Sequence, residues 1–60
     1  MASLTENDRA REARIRQFAE QILTARTGEA RHRALCAMQD EIKARTPAAV
    51  AALERARGLA

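Results

Sequence analysis

Large apolar side chains recur along this chain at the spacing of helices. Ile15, Phe18, Ile22 and Ala25 follow one another at steps of three, four and three residues, with Ala19 beside them. At 3.6 residues per turn these positions form a single stripe. The polar residues before the stripe supply two competing helix starts. Ser3 with Glu6 fits a capping box, and Thr5 with Asp8 is spaced identically. The pattern predicts a first helix over 4–26, stopped by Thr27-Gly28. Gly28 is free to take a left-handed conformation there, and either residue can cap the next helix.

A second stripe follows. Leu35, Met38 and Ile42 repeat the three-four rhythm with Ala34 on its flank, which predicts a helix over 29–45. Thr46-Pro47 then marks a new start, because threonine caps well and proline suits the first helical position. The residue before a proline is pushed out of the helical region, so a bend is expected at this point. The third helix, over 47–57, carries Val50 and Leu53 with Ala49 and Ala56 on its inner side, and Gly58 ends it. β-branched and aromatic residues are too few, and alternation too rare, for strands.

The fold class is therefore all-α: a small antiparallel helical hairpin or three-helix arrangement in one domain, 1–60, with the third helix as a lid. Alanine supplies most of the 47% hydrophobic content and fills little volume. A chain of 60 residues also buries a smaller share of its surface than a larger domain does. Ile15, Phe18, Ile22, Leu35, Met38, Ile42, Val50 and Leu53 are the expected core or interface positions. So thin a core suggests a dimer, or a module completed by a partner.

Charge and cysteine content narrow the setting. Arginine supplies all basic residues but Lys43, and the net charge of +3 is a mild excess that favours an acidic partner. The single Cys36 excludes an internal disulfide and suits a reducing compartment. No apolar run approaches a membrane span, and the first residues lack the features of a signal peptide. A cytoplasmic protein without membrane attachment is expected.

Catalytic chemistry finds little to use. His32 and Cys36 are neighbours on one helical turn, and Asp40 extends the row. A thiolate nucleophile needs an oxyanion site and a cleft in addition, and two or three ligands on one helix edge do not make a zinc site. The pair reads as a boundary histidine beside a half-buried thiol. Adjacent Asp40 and Glu41 point about 100° apart and cannot share a proton. Glu12–Arg16, Glu29–Arg33 and Glu41–Arg45 are spaced for i,i+4 ion pairs. Two isolated glycines exclude a phosphate-cradling loop. No catalytic residue, cofactor, metal or small-molecule substrate is expected.

Binding is the remaining class. Arg9 and Arg16 lie opposite the first stripe, whereas Arg11 and Arg14 lie near its edge, so the arginines of this helix divide between two faces. Interleaved Glu6, Asp8, Glu12 and Glu20 neutralise much of their field, and Phe18 is the only aromatic residue available for base stacking. Direct DNA or RNA binding is the alternative reading, because guanidinium groups suit phosphates and Arg31 and Arg33 begin the second helix. Protein binding accounts for more of the chain. Leu23 falls about 100° off the first stripe, and Leu4 and Leu59 stand near the termini. Arg9, Arg14, Arg16, Leu23, Arg31 and Arg33 are the candidate partner contacts.

In its size, its initial Met1 and its alanine- and arginine-rich composition, the chain resembles in type the small stand-alone helical proteins of bacteriophages and plasmids. Several of those are inhibitors that dock on a host complex, anti-CRISPR proteins among them. The resemblance covers no motif. It implies a bacterial setting and a non-enzymatic module that occupies a surface on a larger assembly.

Overall fold

The structure, a computed structural model, describes residues 4–58 and contains three helices in this range: α1 (Glu6–Thr24), α2 (Gly28–Lys43) and α3 (Pro47–Ala56). Ser3 and Leu59 lie outside the described residues. The rival capping box is the one that forms. The Thr5 hydroxyl accepts the Asp8 backbone N–H at 3.1 Å, while the Thr5 N–H donates to the Asp8 carboxylate at 3.1 Å. Asp8 is simultaneously held by Arg11 at 3.3 Å, a partner one turn further along the same helix. Helix α1 accordingly begins two residues later than the apolar pattern alone suggests.

Its other end also comes early. The Thr24 hydroxyl donates back to the Glu20 carbonyl at 2.9 Å, a local bond of the kind that competes with helix continuation. Ala25 then turns to extended backbone at φ −61°, ψ 134°. The chain thus leaves α1 without a left-handed residue, contrary to the expectation for Gly28. Thr27 instead caps α2 by accepting the Ala30 N–H at 3.0 Å, and Gly28 becomes the first helical residue. Thr46 performs the same service for α3, accepting from Ala49 at 3.1 Å with Pro47 behind it. Gly58 is the left-handed glycine, at φ 71°.

α1 and α2 pack along their length as an antiparallel hairpin. Its register is shown by ion pairs that join the start of α1 to the end of α2, Arg14 to Glu41 and Glu12 to Arg45. Ala34 is buried at the middle of α2, where a small side chain lets the helices approach. α3 does not cover the hairpin as a lid. The Cα trace measures 42 × 21 × 15 Å, whereas 19-residue α1 is only about 28 Å long, so α3 extends the long axis and adds no third layer. The radius of gyration, 13.1 Å, exceeds the roughly 10 Å of a compact chain of this length. The accessible surface, 4728 Å², exceeds by roughly 800 Å² that of a compact monomer of the same mass.

The apolar stripes therefore meet without closing a core. Ile15, Phe18, Ile22, Met38 and Leu53 are half-buried, and Leu35, Ile42 and Val50 count among the exposed residues. Among the described residues the buried apolar ones are two alanines, Ala34 and Ala49. None of the three helices is long and apolar enough to cross a membrane.

Candidate functional site

Electrostatics divides the hairpin into two unlike flanks. The Arg14 guanidinium grips Glu41 with both arms, at 3.0 and 3.2 Å. Arg11 lies between two carboxylates, with Nη1 3.3 Å from Asp8 and Nε 3.7 Å from Glu41. That Nε is buried and makes no hydrogen bond, so its attraction to Glu41 is by charge alone, while Nη1 donates to Asp8. The hydrogen bonds from Thr5, aided by Arg11, hold the Asp8 carboxyl below its ordinary value of 3.8. Arg14, aided by the charge of Arg11, holds Glu41 below 4.5. Across the seam, the Arg45 guanidinium forks onto Glu12 at 2.7 and 2.8 Å.

These contacts correct two of the expected intrahelical pairs. Glu12 and Glu41 reach the facing helix in preference to Arg16 and Arg45, because both carboxylates stand at the stripe's edge, where the opposite helix supplies a guanidinium. Glu29–Arg33 does form, at 2.6 Å, on the exposed side of α2. The signal for the cross-helix pairs lay in the positions of Arg11, Arg14 and Arg45 beside the stripes.

Once these pairs are made, Arg9, Arg16, Arg26, Arg31, Lys43, Arg55 and Arg57 have no carboxylate partner among the described residues. Stepping about 100° per residue from the seam, Leu23 of α1 falls nearest the side marked by Glu12 and Arg45, whereas Arg9 and Arg16 lie farther round, opposite the stripe and close to Glu20. On α2 the same side carries Arg31, Leu35 and Ile42. Leu23 is 85% exposed, Leu35 37% and Ile42 38%. Arg45 connects this flank to a hollow of about 210 Å³ that it lines together with Val50, Leu53, Glu54 and Arg57. Val50 is itself 39% exposed.

The opposite flank is different. Phe18, Gln21, Ala30, Arg33, Ala34 and Ala37 line an open trough of about 500 Å³ there. Its arginines are neutralised, Arg14 by Glu41 and Arg33 by Glu29. The six candidate contacts thus separate: Leu23 and Arg31 border the first flank, Arg9 and Arg16 lie on the back of α1, and Arg14 and Arg33 are paired with Glu41 and Glu29.

No family model, no curated protein and no solved structure matches this chain. The function must be read from the flanks themselves.

His32 Nε2 lies 3.5 Å from Cys36 Sγ on the exposed part of α2. Among the described residues, no group of three or more His, Cys, Asp or Glu side chains comes together as a cation would require.

Proposed function

We propose that this chain is a non-enzymatic protein-binding module that acts by occupying a surface on a larger assembly. One observation carries the reading: the apolar stripes of the hairpin do not close over each other. Leu23 is almost wholly exposed, and Leu35, Ile42 and Val50 each keep more than a third of their surface in water, although the chain has few large side chains. An inhibitor of a bacterial assembly, of the kind phages and plasmids encode and anti-CRISPR proteins exemplify, fits this design. Its action is steric and requires no cofactor, metal or small-molecule substrate.

Two other occupants are weighed against it. A second copy of the chain would add its own Arg9, Arg16 and Arg31 to those of the first around one interface, and like charges brought together are repulsive. A nucleic acid would engage these arginines but would leave Leu23, Leu35 and Ile42 without apolar contacts. The test is binding of purified candidate assemblies by the wild type and by Leu35→Glu/Ile42→Glu. A protein interface predicts little salt dependence, a negative heat-capacity change and loss of binding in the double variant. Affinity that fell steeply with salt and ignored the double variant would favour nucleic acid. A melting temperature rising with protein concentration, and no heterologous partner, would favour the dimer.

A further inference from the structure

The back of α2 carries two metal-binding side chains that neither the packing nor the docking flank uses. Counting about 100° per residue from buried Ala34, His32 and Cys36 both fall within about 20° of the point opposite the seam. His32 is exposed and Cys36 half-buried there.

Imidazole nitrogen and thiolate sulfur are donors that suit zinc, at about 2.0–2.1 Å and about 2.3 Å from the ion. At the tetrahedral angle these bond lengths set the two donors about 3.5–3.6 Å apart. His32 Nε2 and Cys36 Sγ stand 3.5 Å apart. The pair therefore has the bite of a tetrahedral zinc ion with no change of backbone. A closed site takes four ligands, and among the described residues no third His, Cys, Asp or Glu joins these two. Asp40 is about 12 Å along the axis from His32, too far to share an ion with both. One chain supplies half a site.

We infer that zinc joins two copies of this chain back to back, with His32 and Cys36 of each copy completing a tetrahedral site of two thiolates and two imidazoles. Each thiol gives up its proton to solvent on binding, and each imidazole binds through the Nε2 lone pair with its proton on Nδ1. Two thiolates balance the charge of one Zn2+, so the joint carries no net charge.

The surroundings suit a second copy. A two-fold axis between His32 and Cys36 sets the two α2 helices antiparallel. Asp40 then lies by the start of the second copy's α2, where the helix dipole favours a carboxylate. Asp40 makes no ion pair among the described residues. Glu29, Gln39 and Lys43 complete this face and are all polar. Without an apolar surface there, the two copies depend on the ion to hold them. Leu35 and Ile42 lie about 80–100° round α2 from the pair, so the joint is separate from the docking flank and independent of that reading.

The test titrates the whole chain with Zn2+ under reducing conditions, so that no disulfide can join the copies. Mass is followed by analytical ultracentrifugation, and Co2+ serves as a visible probe of the ligands. The mass should double at one zinc per two chains and return to that of the monomer with EDTA. Co2+ should give thiolate charge-transfer absorption and the intense visible bands of a tetrahedral site. Cys36→Ser and His32→Ala should each abolish the doubling and leave helical circular dichroism unchanged, because both positions face away from the seam. Leu35→Glu/Ile42→Glu should pair with zinc as the wild type does.

A chain that stayed monomeric in excess zinc would overturn the inference, as would one zinc bound per chain without pairing. Doubling that survived EDTA or Cys36→Ser would place the contact elsewhere and overturn it too. Loss of zinc pairing in the leucine–isoleucine double variant would assign the joint to the docking flank instead. None of these results touches the binding of a heterologous assembly, which the preceding test decides separately.

Discussion

Single residues here do more than the apolar pattern alone reveals. Gly28 stands first in α2 with ordinary backbone angles, and a methyl group added to it would meet nothing within 4 Å. Gly28→Ala should therefore stabilise the protein by about 0.5 kcal/mol, since alanine restricts the unfolded chain at no steric cost. Urea denaturation reads this directly; a loss of stability would mean that Gly28 does need a glycine-only conformation. Gly58, at φ 71°, should respond oppositely and lose about 1 kcal/mol as alanine.

Asp8 and Glu41 set the response to acid. Both are held below their ordinary values, 3.8 and 4.5, by hydrogen bonds and neighbouring guanidinium groups. A carboxyl depressed in the folded state binds fewer protons than in the unfolded chain. Its stabilising effect is complete above the ordinary value and declines as pH falls through the folded one. Stability should hold from neutral pH to about 5 and then decline below about 4.5. In Asp8→Asn the decline should be shallower. Thermal melts across this range check it, and an unchanged acid slope in the variant would remove Asp8 from the account.

At the scale of elements, the helices and their order are legible in the sequence, because threonine caps, one proline and two stripes mark them. Their ends were less legible. Two capping boxes of equal spacing compete near the first helix, and the Asp8–Arg11 contact belongs only to the folded helix. Ion pairing was legible for Glu29–Arg33, where both partners point away from the seam. It was not for Glu12 and Glu41, whose partners come from another helix at a register that a single stripe does not define.

The seam itself is set by a small residue. Ala34 is buried where α1 and α2 approach, so Ala34→Leu should force the helices apart and cost about 1–3 kcal/mol. Arg45→Ala should cost about 1–3 kcal/mol by leaving the half-buried Glu12 carboxylate without its two charged hydrogen bonds. Equilibrium denaturation monitored by helical circular dichroism tests both. A neutral Ala34→Leu would place the helices farther apart than described.

The whole molecule is an open hairpin with an appended helix, and its shape gives the flanks their importance. That the core would be thin followed from counting large side chains. Which side remained open did not, because it depends on how the stripes face each other and on which arginines the hairpin itself neutralises. The candidate contacts read from the sequence mix the two flanks for this reason. Arg14 and Arg33 resemble Arg9 and Arg16 in sequence, and the fold separates them by the carboxylates it places beside each.

The most direct test of the docking account is a quantitative capture from nuclease-treated bacterial lysate, comparing the wild type with Leu23→Glu/Leu35→Glu/Ile42→Glu at matched helicity. The account predicts a stoichiometric protein partner on the wild type, and little or none on the triple variant. Equal capture by both chains, or no stoichiometric partner on the wild type, would contradict it.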